Sequence, residues 1–125
     1  MAGYGYHPRV RAFDAGADTS EMWENATTQC DGLRVPHPLA GYLILEAMRA
    51  TCGTALGVSD EEMIAAMYEM ATAEGIFPAP EGAATLVGLK KLLGQKFLDP
   101  DESVVLFNTG SGYKYLDLIN GSQGK

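Results

Sequence analysis

Val104-Val105-Leu106-Phe107-Asn108-Thr109-Gly110-Ser111-Gly112 is the stretch on which the reading of the fold turns. Its first four residues are apolar without alternation. A half-buried strand would alternate apolar and polar residues, so an unbroken apolar run of this length is the pattern of a strand buried on both faces, as in a parallel sheet. The five residues after it combine two glycines, an asparagine and two hydroxyls, which suits a tight turn at the strand's carboxyl end. In open α/β sheets that end is where ligands sit. A glycine-rich turn there presents backbone N–H groups, to which Thr109 and Ser111 add hydroxyls. The turn reads either as a cofactor or anion contact or as a plain connection from strand to helix.

Upstream, the chain is punctuated into helices. Glu81-Gly82-Ala83-Ala84-Thr85 opens one that runs through Leu86, Leu89 and Leu93 to Gly94. The small residues of its first turn admit close approach by a neighbouring strand or by a ligand. Residues 59–74 form the clearest helix. Ser59 is the N-cap, Glu62 completes a capping box, and Asp60, Glu61 and Glu62 place negative charge at the positive end of the helix dipole. Met63, Ile64, Met67, Met70 and Ala71 supply its apolar stripe, with the methionines as adaptable core filler. Further back, 54–58 reads as a weak strand. Residues 38–52 read as a helix with Leu39, Leu43, Ala47 and Ala50 on one side, Ile44, Met48 and Cys52 continuing it, and Gly53 as its cap. A short helix spans 8–16, and 17–37 is a long loop closed by Pro36 and Pro38. Helices alternating with strands predict an α/β chain with an open, mostly parallel sheet flanked by helices.

Composition narrows the function. The 125 residues are 46% hydrophobic and 20% charged, which is enough for one domain with its own core. Nine basic against 16 acidic residues leave a net charge of −7, which speaks against a phosphate-backbone binder and so against nucleic acid as partner. No apolar run approaches the length of a membrane span and the start lacks a signal-peptide layout, so the expectation is a soluble, cytoplasmic protein without a membrane partner. Cys30 and Cys52 form no disulfide framework and read as packing residues. His7 and His37 have no ligand-spaced companions, so no metal site is expected. The lysines read mostly as solvated charge, and no nucleophile with its base stands out. Fifteen glycines, well above the average of about 7%, indicate many tight turns or backbone approaching a ligand.

Three blocks carry a resemblance. Glu74-Gly75-Ile76-Phe77, Pro80-Glu81-Gly82-Ala83-Ala84-Thr85 and Val104 to Lys114 together resemble the C-terminal third of threonine synthases. These are pyridoxal-phosphate enzymes of the tryptophan-synthase-β-like, fold-type II family. The likeness extends upstream through Trp23-Glu24-Asn25-Ala26-Thr27-Thr28 and Asp31-Gly32-Leu33-Arg34-Val35, and it covers roughly residues 5 to 118. It implies a partial fold-type II unit over residues 1–120, followed by a disordered tail at 121–125.

Carried over by position, the resemblance makes Thr109 the hydroxyl that faces the cofactor's pyridine nitrogen, with Gly110 and Ser111 in the turn beside it. Glu81 falls at a helix start near the same site, and Thr28, Asp31 and Gly32 on the substrate rim. A neutral hydroxyl does not force a proton onto the pyridine nitrogen, which suits β-elimination and replacement, here O-phosphohomoserine and water to threonine and phosphate. The family's Schiff-base lysine, in a motif of the S-F-K-D type, and its glycine-rich phosphate loop do not occur in these 125 residues. One hydroxyl–pyridine hydrogen bond contributes only about 1 kcal/mol net. The expectation is therefore weak or no cofactor binding and no turnover by this chain alone, with an N-terminal enzyme half or a second copy of the chain as partner. Two other readings stay open: an interaction module that keeps the fold without the chemistry, and a segment of an amino-acid dehydratase.

Overall fold

The computed structural model describes residues 8–20, 28–33 and 40–121. Every element in them is helical. α1 spans Pro8–Asp14, α2 Gly41–Ala50, α3 Asp60–Glu74, α4 Pro80–Gly94 and α5 Leu116–Gly121, with short 3-10 turns at Asp31–Leu33 and Gly112–Tyr115. The chain divides into two compact units, Met1–Gly57 and Val58–Lys125.

Among the described residues, the open parallel sheet expected from the sequence is not formed. Among the described residues the one β-bridge is isolated, between Pro78 and Ser111. Val104-Val105-Leu106-Phe107 lies outside any ladder, and Val104, Val105 and Phe107 are 43%, 79% and 75% exposed. Residues 54–58 are half-buried and form no strand either. The physical reason is that apolar content only makes burial favourable, whereas a strand exists through hydrogen bonds to a neighbouring strand. Here the helices bury their apolar residues against one another, and no ladder is built for 104–107 to join.

In the second unit α3 and α4 pack together. Ala66, Met67, Ala83 and Val87 form the buried centre, with Val58, Phe77, Leu86 and Ile119 against it. α3 starts as its sequence dictates. The Ser59 hydroxyl accepts from the Glu62 N–H at 3.2 Å, and the Glu62 carboxylate accepts from the Ser59 N–H at 2.8 Å. Gly75 ends the helix in the left-handed region, φ 67°. Met63 and Met67 are buried, as the methionine stripe implies. α4 differs from expectation: its buried line is Ala83 and Val87, while Leu93 is exposed. Small side chains facing α3 let the two helices approach closely, so the leucines fall to the flank. Lys90 and Lys91 are not simply solvated. Lys90 pairs with Glu69, and the Lys91 Nζ donates to the Glu62 Oε2 at 2.8 Å, so both tie α4 to α3.

In the first unit α1 and α2 contact each other, and Ala12, Cys30 and Leu45 are buried. The Arg49 side chain donates to the Ala17 carbonyl and pairs with Asp18 at 3.3 Å, holding the end of α2 to the segment after α1. The expected stripe of α2 is displaced. Gly41 and Leu45 are its buried residues, whereas Leu43, Ala47 and Ala50 are exposed. Its end is displaced as well. Cys52, not Gly53, takes the left-handed position, φ 54°. The Gly53 N–H reaches the Met48 carbonyl at 2.7 Å and the Cys52 N–H the Arg49 carbonyl at 3.3 Å, a Schellman motif. Cys30 packs as expected, but Cys52 is exposed. Leu39, Trp23 to Thr27, Arg34 to His37 and residues 122–125 lie outside the described residues; Gly121 closes α5.

Candidate functional site

The glycine-rich turn sits on the start of α4. α4 begins at Pro80, where the absent N–H of proline costs nothing because a first-turn N–H has no helical partner. The segment just before it, Phe77-Pro78-Ala79, lies antiparallel to Gly110-Ser111-Gly112. The Ala79 N–H donates to the Gly110 carbonyl at 2.9 Å, and the Gly112 N–H to the Phe77 carbonyl at 3.0 Å. These bonds flank the Pro78–Ser111 pair, so Pro78 stands at a position of the bridge that needs no donor.

Glycine is required where the two segments meet. A Cβ on Gly112 would stand 2.7 Å from the Phe77 ring and 2.8 Å from the Pro78 carbonyl oxygen, and one on Gly82 would collide with the Asn108 side chain. The small residues at the start of α4 are thus filled by the turn itself on one side and by the packing against α3 on the other. Phe77 and Tyr113 add an edge-to-face ring contact with centroids 5.6 Å apart.

Four of the residues singled out from the sequence come together here. Thr109 and Ser111 are exposed, Gly110 is half-buried, and Glu81 is half-buried in the first turn of α4. The Ser111 hydroxyl accepts from the Tyr113 N–H at 3.3 Å, capping the turn Gly112–Tyr115. The Tyr115 hydroxyl donates to the Glu81 Oε1 at 2.5 Å. Tyr115 carries no local sequence signal, since its partner lies 34 positions away. Thr28, Asp31 and Gly32 belong to the other unit. There the Thr28 hydroxyl accepts from the Cys30 N–H at 3.1 Å, and Asp31 opens the turn Asp31–Leu33, in which Gly32 is exposed.

One carboxylate is shifted. Lys91, by its hydrogen bond, then the Ser59 N–H, hold Glu62 below its ordinary value of 4.5, against the opposing effect of burial. That shift belongs to the α3–α4 contact and the α3 cap, not to the turn. Among the described residues no three His, Cys, Asp or Glu side chains are placed to hold a metal ion, and no helix is long and apolar enough to cross a membrane.

The fold and the turn define a helical scaffold that presents a hydroxyl-bearing glycine turn at a helix start. The exposed Thr109 hydroxyl in that turn is a neutral donor and acceptor. The family profile of the pyridoxal-phosphate dependent enzymes matches residues 3–110, and the chain belongs to that family. Within it, the chain is similar to the threonine synthase of Methanocaldococcus jannaschii, 36% identical over 110 residues, which cover 88% of this chain and 27% of the relative. It is 38% identical to the threonine synthase of Methanosarcina acetivorans over 103 residues, 82% of this chain and 25% of that one. The Halalkalibacterium halodurans threonine synthase is 31% identical over 111 residues, 86% and 31% respectively. The chain therefore spans between a quarter and a third of the length of these relatives.

Proposed function

We propose that these residues furnish the nitrogen edge of a threonine-synthase-type site, converting O-phosphohomoserine and water to threonine and phosphate. Pyridoxal phosphate, when bound, supplies the electron sink for that replacement. Thr109 orients the ring through its hydroxyl, Gly110 and Ser111 shape the turn beside it, and Glu81 holds the turn's flank from the start of α4. Thr28, Asp31 and Gly32 form the substrate rim. The lysine and the phosphate grip come from polypeptide other than these 125 residues, so the chain alone holds the cofactor weakly and does not turn over substrate. The observation that carries the reading is the seating of the turn on α4, with the Thr109 hydroxyl left exposed in a family whose cofactor is a pyridine.

A chimera tests it. Residues 3–121, which include the turn and Tyr115, replace the corresponding stretch of the Methanocaldococcus jannaschii threonine synthase, and phosphate release from O-phosphohomoserine is followed. The reading expects release that depends on added pyridoxal phosphate. A folded chimera that binds the cofactor and acts on threonine or serine instead would favour a dehydratase; one that folds and does neither would favour an interaction module.

A further inference from the structure

We infer that Tyr115 is a positioning residue, whose hydrogen bond to Glu81 latches the glycine-rich turn onto the start of α4 and so sets where the Thr109 side chain stands. Without the latch, two backbone hydrogen bonds and one ring contact hold residues 110–113 to the segment 77–79. Both bonds lie at the same short bridge, which has no ladder on either side to support it. The Tyr115–Glu81 bond closes the turn from its far end. Tyr115 is the last residue of the 3-10 turn Gly112–Tyr115, and Glu81 stands two residues beyond Ala79, whose N–H donates to the Gly110 carbonyl at the turn's other end. The bond spans a half-buried phenol and a half-buried carboxylate at 2.5 Å, a short oxygen–oxygen contact of the charge-assisted kind. Thr109 therefore stands on a segment pinned on its C-terminal side at residues 110, 112 and 115, while its own side chain is left for a ligand.

The latch rests on the proposed function only for what the turn would hold; the bond itself is tested on the free chain. Amide hydrogen exchange is compared in the native chain, Tyr115→Phe and Glu81→Gln. Tyr115→Phe keeps the ring and removes only the donor, and Glu81→Gln keeps an acceptor carbonyl. In Tyr115→Phe the Ala79 and Gly112 amides are expected to exchange about tenfold faster, with the α3 amides unchanged, and Glu81→Gln to stay nearer the native rate. Native rates at Ala79 and Gly112 in Tyr115→Phe, or equal acceleration throughout α3, would overturn the latch. In the chimera, Tyr115→Phe is then expected to weaken pyridoxal phosphate binding with Thr109 intact. Fast local exchange with unchanged cofactor affinity would leave the bond standing and remove its role in positioning Thr109.

Discussion

Lys96 and Cys52 occupy left-handed backbone positions, φ 57° and 54°, that a glycine takes at lower steric cost. Each follows the end of a helix in a Schellman motif. After α4 the Phe97 N–H reaches the Leu92 carbonyl at 2.9 Å and the Lys96 N–H the Leu93 carbonyl at 3.0 Å. Lys96→Gly is expected to stabilise the chain by about 0.5–1 kcal/mol, read as a higher urea midpoint at unchanged slope. Gly112 is the opposite case. Its missing Cβ makes room for the Phe77 ring and the Pro78 carbonyl, and a backbone carbonyl cannot rotate away as a side chain would. Gly112→Ala is expected to cost about 1–3 kcal/mol and to speed exchange at the Ala79 amide. Both effects are invisible in a residue list. The glycines at 53 and 94 invite assignment as helix ends, yet the chain turns at the residue before one and two residues after the other. What decides is which carbonyls the next amides can reach.

At the scale of elements, the helices were legible where local chemistry alone specifies them. Ser59 with Glu62 marks the start of α3, Gly75 its end, and Pro80 the start of α4. Which face each helix buries was not, because Ala83 and Val87 lie inward through their fit to α3, and Leu45 through its packing in the other unit. The run 104–107 was misread because its composition states a preference for burial and says nothing of a neighbouring strand. The candidate turn was legible at Thr109, Gly110, Ser111 and Glu81; Tyr115 was not, since nothing local announces a contact across 34 positions. The capping box also sets a pH response. Glu62 has a lowered value when folded, so its contribution is present above the unfolded value near 4.5 and is lost as pH falls through the folded one. Because its side chain is 41% exposed, the contribution is a fraction of a kcal/mol. In Lys91→Met, whose hydrogen bond is the largest cause of the shift, the Glu62 titration followed by NMR is expected to move upward toward 4.5, and the acid limb of stability to flatten. An unmoved titration would assign the shift to the cap alone.

For the molecule as a whole, the chain divides into two helical units, with the turn and Glu81 in one and Thr28, Asp31 and Gly32 in the other. The family match crosses both, from residue 3 to residue 110. The exposure of Val105 and Phe107 sits beside the turn in sequence, so the most apolar stretch of the second unit leads directly into its candidate chemistry. The account requires that the hydroxyl at 109 matter to a bound pyridine ring and that its removal matter more than any loss of stability. The most direct measurement is the absorbance spectrum and phosphate release of the chimera loaded with pyridoxal phosphate, native against Thr109→Ser and Thr109→Val. The account predicts that serine preserves both and that valine shifts the cofactor band and slows release about tenfold or more, at unchanged thermal stability. A valine variant with the native spectrum and native rate would contradict it.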